Sequence, residues 1–118
     1  MKQITNKTII TVTLKAPFIT WIQSTDEGSA DIKAENITSS PNAYMVDDTE
    51  DGLEPDKLIK KNFKAIFEEE LNGWIIDVSM WPPKWDLQTF HKWFQVTVHS
   101  QIFYIGKQPF LMEEWRHI

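Results

Sequence analysis

The residues of this 118-residue chain that could do chemistry are few. His99 sits in "FQVTVHSQIFYI", on the polar side of an alternating run with Thr97 and Gln101. An imidazole there works as a general base only with a carboxylate or nucleophile within hydrogen-bond reach. Ser100 follows directly, but on a regular strand it points to the other face, so His-Ser is not a catalytic pair. Glu70 and Asp77 are the carboxylates that could serve His99, and together they would make a small hydrolase-like enzyme. Glu70 falls among Ile59, Phe63 and Phe67 at about 100° per residue, provided its helix continues. A carboxylate so placed is either paired or shifted in its protonation, which is how general acids and bases are made. Asn72-Gly73 nonetheless favours a helix that frays after Glu69 and turns Glu70 to water, and that is the expectation here.

Metal and phosphate chemistry find less support. The chain has no cysteine, which excludes disulfides, thiolate nucleophiles and cysteine zinc sites. His91, His99 and His117 lack any H-x-x-x-H spacing. The run "DDTEDGLEPDKL", residues 47–58, imitates a calcium loop with Asp47, Asp51 and Gly52 at its first, fifth and sixth positions. Leu58, however, stands where the bidentate Glu belongs, and Glu54 where an apolar residue belongs, so the run reads as an acidic turn. Four ungrouped glycines make no phosphate loop. No metal and no cofactor are expected, and no catalytic set is assigned beyond the candidates His99 and Glu70.

Charge narrows the partners. A net charge of -5 and a lone arginine, Arg116, argue against nucleic acid, whose binding rests on neutralising phosphates. Residues 26–56 hold ten acidic side chains against one lysine, which reads as solvated loop, with attraction of a basic partner as the alternative. No apolar run approaches the roughly 18 residues of a membrane span. The start, "MKQITNKTIITVTLKAP", alternates Thr with Ile and Val, unlike a signal peptide. A cytoplasmic location is therefore expected, with Asn6 and Asn36 unglycosylated.

The elements that would position these residues follow from periodicity. "TIITVTLK" alternates strictly, Ile10, Val12 and Leu14 against Ile9, Thr11 and Thr13, and predicts a half-buried strand. After Pro17, "FITWIQS" is expected to resume as a second or edge strand. Residues 24–42 read as loop with room for a short edge strand, and "AYMVDD" as a third strand. The clearest helix is "PDKLIKKNFKAIFEEELNGW", with Pro55 in its first turn and Asp56 at its positive end. Ile59, Phe63, Ile66, Phe67 and Trp74 share its apolar side, while Lys57, Lys60, Lys61, Lys64 and Glu68 form a solvated face. Asp86 should cap a second helix bearing Leu87, Phe90 and Phe94. Residues 95–105 alternate again, Val96, Val98, Ile102 and Tyr104 against Gln95, Thr97 and His99. The last segment, "PFLMEEWRHI", has enough apolar content to dock. The order implies one α+β domain over residues 1–118, an antiparallel or mixed sheet of about 3–4 strands with two central helices on one face.

Trp74, Trp81, Trp85 and Trp93 bracket the break at Pro82-Pro83. Each large ring hides about 150–250 Å², so three of the four should be core or corner residues. A surface role stays open for Trp81 or Trp85, the candidate binding residues, because exposed indoles anchor interfaces. The run "FEEELNGW", "WP", "FHKWFQVTVHS" resembles small uncharacterised bacterial proteins with a Trp-Pro corner, then F-x-x-W-F, a strand and His-Ser. That resemblance covers residues 60–102 and implies a bacterial origin, with no functional residue attached. The function expected is a non-catalytic protein-interaction domain, accessory, regulatory or immunity-type. It would act as a monomer, or as a homodimer joined through a strand edge or the tryptophan corner.

Overall fold

The Ile–Thr alternation of residues 8–15 becomes the centre of a sheet. The computed structural model describes residues 1–25, 41–48, 54–75, 77–83 and 85–114. Its elements run β1 (Lys2–Ile4), β2 (Lys7–Leu14), α1 (Ala16–Ser24), β3 (Asn42–Asp47), α2 (Pro55–Trp74), a 3-10 turn (Val78–Met80), α3 (Leu87–Trp93), β4 (Phe94–His99) and β5 (Ile102–Tyr104). The main sheet has the order β3-β2-β4 and is antiparallel throughout. β1 and β5 form a separate antiparallel ribbon. The fold is α+β, with the helices packed on one face of the sheet. Among the described residues no helix is long and apolar enough to cross a membrane.

The ribbon prolongs the β2–β4 ladder across an irregularity. Ile9 pairs with His99 and Ile4 with Ile102, so four residues of the first strand face two of the other. The surplus is accommodated around Thr5-Asn6, where Asp48 N–H donates to the Asn6 carbonyl at 3.1 Å. Lys7 and Thr8 then pair only with β3. A two-residue insertion of this kind is an enlarged bulge, and it bends the sheet there.

One face of the sheet is core and the other is open. Ile10 and Val12 are buried beneath the helices, and Tyr44, Val46, Val96 and Val98 flank them from the neighbouring strands. The opposite parity, Thr13, Ala43, Met45, Gln95, Thr97 and His99, is exposed. α2 buries Ile59, Phe63, Ile66, Phe67 and Leu71 against the inner face. Phe67 is fully buried and its ring contacts those of Trp85, Phe90, Trp93 and Phe94 at centroid distances of 6.1, 5.7, 5.9 and 5.3 Å. Each such pair contributes about 0.5–1.5 kcal/mol beyond area burial.

Four expectations change. "FITWIQS" is helical: Pro17 occupies the first turn of α1, where its missing N–H costs nothing. Phe18 and Ile22, spaced four apart, then enter the core with no residue to spare for a strand. α2 does not fray after Glu69, since Leu71 and Ile75 are both fully buried and hold its last turn down. Burying two such side chains stabilises by about 1.5–3 kcal/mol each, more than the ~1 kcal/mol that a helical glycine costs. Trp74, expected on the buried side, is 37% exposed because Leu71 and Ile75 take the core positions around it. The described part of the last segment stays outside the core: Phe110, Leu111 and Met112 are exposed, and residues 115–118 lie outside the described residues. The acidic stretch 26–40 and residues 49–53 lie outside the described residues.

Phe67→Ala removes the ring shared by α2, the corner, α3 and β4, and should cost about 3–5 kcal/mol. A urea unfolding midpoint that hardly moves would show that the ring cluster is not the core.

Candidate functional site

Glu70 is the most deeply placed of the candidate acids. It is 4% exposed, on the last turns of α2, and faces the inner side of β3. Its Oε2 accepts a hydrogen bond from Asn42 Nδ2 at 2.6 Å and a second, short one from the Tyr44 hydroxyl. Asn42 and Tyr44 are two apart on the strand and so project to the same face. Burial raises the Glu70 pKa above the ordinary carboxylate range, and the two donors act against that rise. Burial, then the Glu70 charge, pushes the Tyr44 phenol far above its usual value. The triad therefore holds its protons in place; Tyr44 stays a donor. It binds β3 to α2 across 26 residues of sequence.

Beside this tie runs a groove of about 300 Å³ between β3 and α2. Tyr44, Met45, Val46 and Asp47 line one wall, and Asn62, Ala65, Ile66 and Glu69 the other. The helical set is spaced three, one and three, which places one stripe of α2 along the strand. β3 is an edge strand: β2 covers one side, and among the described residues no strand pairs with the other. Asp47 is ion-paired with Lys7, whose hydrogen bond lowers the Asp47 pKa.

His99 lies on the open face of β4, across the sheet from Glu70. Thr11 Oγ1 is 3.1 Å from its Nε2, and this is its hydrogen bond among the described residues. Asp77 caps the 3-10 turn, accepting from Ser79 N–H at 3.0 Å and Ser79 Oγ at 2.7 Å. Among the described residues no hydrogen bond joins His99 to either carboxylate proposed for it. Strand parity sets His99 outward while the helix buries Glu70 inward, and the spacing of neither reveals the sheet between them.

The tryptophan corner is mostly internal bracing. Trp81, Trp85 and Trp93 are half-buried against the core. Trp81 Nε1 donates to the Ile75 carbonyl at 2.7 Å, and Trp21 Nε1 to that of Met80 at 3.0 Å. Trp81 meets Trp85 edge-on at 5.9 Å. Trp85 also borders a shallow groove of about 420 Å³ with Lys64, Pro83 and Asp86. Asp86 is the N-cap of α3, accepting from Thr89 N–H at 2.8 Å.

Asn42, Tyr44 and the β3 edge escaped the sequence reading. Tyr44 reads only as one residue of a short apolar run, and nothing local marks a buried partner for it. No family model matches the chain, and no curated protein or solved structure shows significant similarity to it.

Glu70→Ala leaves the Tyr44 hydroxyl and Asn42 amide without their acceptor and should cost about 1–3 kcal/mol. Glu70→Gln keeps an acceptor and discards the charge. Because the folded-state pKa of Glu70 is raised, the folded protein binds its proton more tightly than the unfolded chain does. Stability therefore falls as pH climbs from the ordinary carboxylate value through the raised one. Urea titrations at stepped pH should show that decline in the wild type and its loss in Glu70→Gln; an unchanged slope would mean that Glu70 is already ionised without penalty.

Proposed function

We propose that this chain is a non-catalytic protein-interaction module that takes an extended segment of a partner along β3. The carrying observation is a strand edge, unpaired among the described residues, running beside a helix with a groove of about 300 Å³ between them. A free edge offers a row of N–H and C=O groups, and a peptide added there gains main-chain hydrogen bonds. Side chains alternating along that peptide would enter the groove against Tyr44, Val46, Ala65 and Ile66. The Tyr44–Glu70–Asn42 tie supports the reading by fixing the gap between strand and helix before a partner arrives. Such pre-organisation lowers the entropic cost of binding.

The net charge of -5 favours a partner segment with net positive charge, mainly by speeding encounter. That no hydrogen bond joins His99 to Glu70 or Asp77 among the described residues supports this reading over the hydrolase alternative. Trp81 and Trp85 take the part of corner braces in this reading, with Trp85 as a subsidiary contact. A cysteine-free chain suits the bacterial cytoplasm, where we place the module.

Display selection of twelve-residue peptides on the intact chain tests this. Selected peptides should carry apolar residues at alternate positions and slow amide exchange along β3. Ala65→Trp fills the groove from an exposed helix position. It should weaken binding at least tenfold, about 1.4 kcal/mol, without altering the thermal midpoint. Peptides that bind yet leave β3 exchange and the Ala65→Trp affinity untouched would place the interaction elsewhere.

A further inference from the structure

Toward the end of the described residues a group of large apolar side chains is exposed. Phe103 is 54% exposed, Ile105 79%, Phe110 61%, Leu111 97% and Met112 92%. Tyr104 organises the turn beside them. The Tyr104 hydroxyl donates to the Gln108 carbonyl, and the Tyr104 ring packs on Phe110 at 4.9 Å. Gly106 lies so close that a Cβ there would come within 2.5 Å of the Tyr104 ring, so a larger residue would push that ring aside. An apolar arm, residues 105–112, thus turns back so that Phe110 lies against Tyr104.

That edge is open. β5 pairs with β1 on one side, β4 pairs with β2, and among the described residues no strand covers the outer side of either. Exposed edges are ordinarily blunted by charge or proline. Here residues 101–106 carry neither, and Lys107 is the lone charge between Gln101 and Met112. A two-stranded ribbon is marginal by itself, and further strands stabilise it.

We propose that this edge is the interface of a homodimer, in which two copies pair β5 against β5 and cover each other's arms. Antiparallel pairing about Phe103 sets Phe103 across from its equivalent, and Ile102 across from Tyr104 of the other copy. Within β5 every facing pair is then apolar or aromatic, so the strand is complementary to itself, as a two-fold interface requires. The five exposed side chains offer on the order of 700 Å² per copy, close to the roughly 800 Å² per partner of a standard stable interface. It also exceeds the few hundred Å² of apolar patch that monomers usually show. The pairing uses the sheet edge opposite β3, so the dimer presents two outward β3 grooves.

Light scattering and sedimentation equilibrium on the intact chain decide the matter. The expected result is twice the 13.9 kDa chain mass at tens of micromolar, with slowed amide exchange in β5 as concentration rises. Phe103→Asp with Leu111→Asp should weaken dimerisation at least a hundredfold while keeping the far-ultraviolet circular dichroism. Leu111→Asp with Met112→Asp alters only side chains already in water, and should also give monomers if the first pair disturbs folding. A wild type that stays monomeric at several hundred micromolar overturns the proposal. So does a dimer that survives both variants, or growth into assemblies larger than two chains.

Discussion

Phe67 is the point through which the structure is joined. Its ring touches Trp85 of the corner, Phe90 of α3, Trp93 at the end of α3 and Phe94 at the start of β4. Phe18 of α1 reaches the same cluster through Trp93 and Phe94, at 5.6 and 4.9 Å. Three helices and the sheet therefore share one interlocked set of rings. Close packing makes such a set rigid, since a gap of even one methylene is felt by every neighbour. The Pro82-Pro83 break and its indoles answer to this need. They turn the chain from α2 to α3 while Trp81 and Trp21 give their N–H groups to carbonyls of the turn.

The buried carboxylate does a different job. β3 is a short edge strand, Asn-Ala-Tyr-Met-Val-Asp, whose hydrophobic alternation is thin. A slip of one residue would turn Tyr44 outward and Met45 inward at small apolar cost. The slip would also strand Glu70 without its two donors, in a setting where an unpaired acid is expensive. Hydrogen bonds from Asn42 and Tyr44 thus specify the register that hydrophobicity leaves loose. At the other end of β3 the buried Thr8 hydroxyl donates to Asp48 at 2.6 Å and adds a second pin.

Much of the fold was legible because it rests on local period. Strict alternation marks β2, the same parity runs through Val96, Val98, Ile102 and Tyr104, and Asp86 caps α3 as its type suggests. What escaped depends on distant partners. In nine residues α1 offers too few turns for its period to be told from a strand, and Pro17 suits either an edge or a first turn. The break between β1 and β2 appears only when both are laid against β4 and β5. Asn72-Gly73 argues for fraying that would turn Glu70 to water, and the partner that opposes it, Tyr44, lies 26 residues away; the groove beside β3 exists only once α2 is in place.

The order of strands across the sheet bears on how this chain is made. β2 is central, yet it is synthesised before both of its neighbours, and β4 lies more than eighty residues further on. During translation a Thr- and Ile-rich segment must therefore wait with both of its flanks unsatisfied. Pairings so far apart in sequence close slowly, since loop entropy is lost before contacts reward it. In the cell, the nascent chain is most open to wrong association in the interval before Phe94–His99 leaves the ribosome.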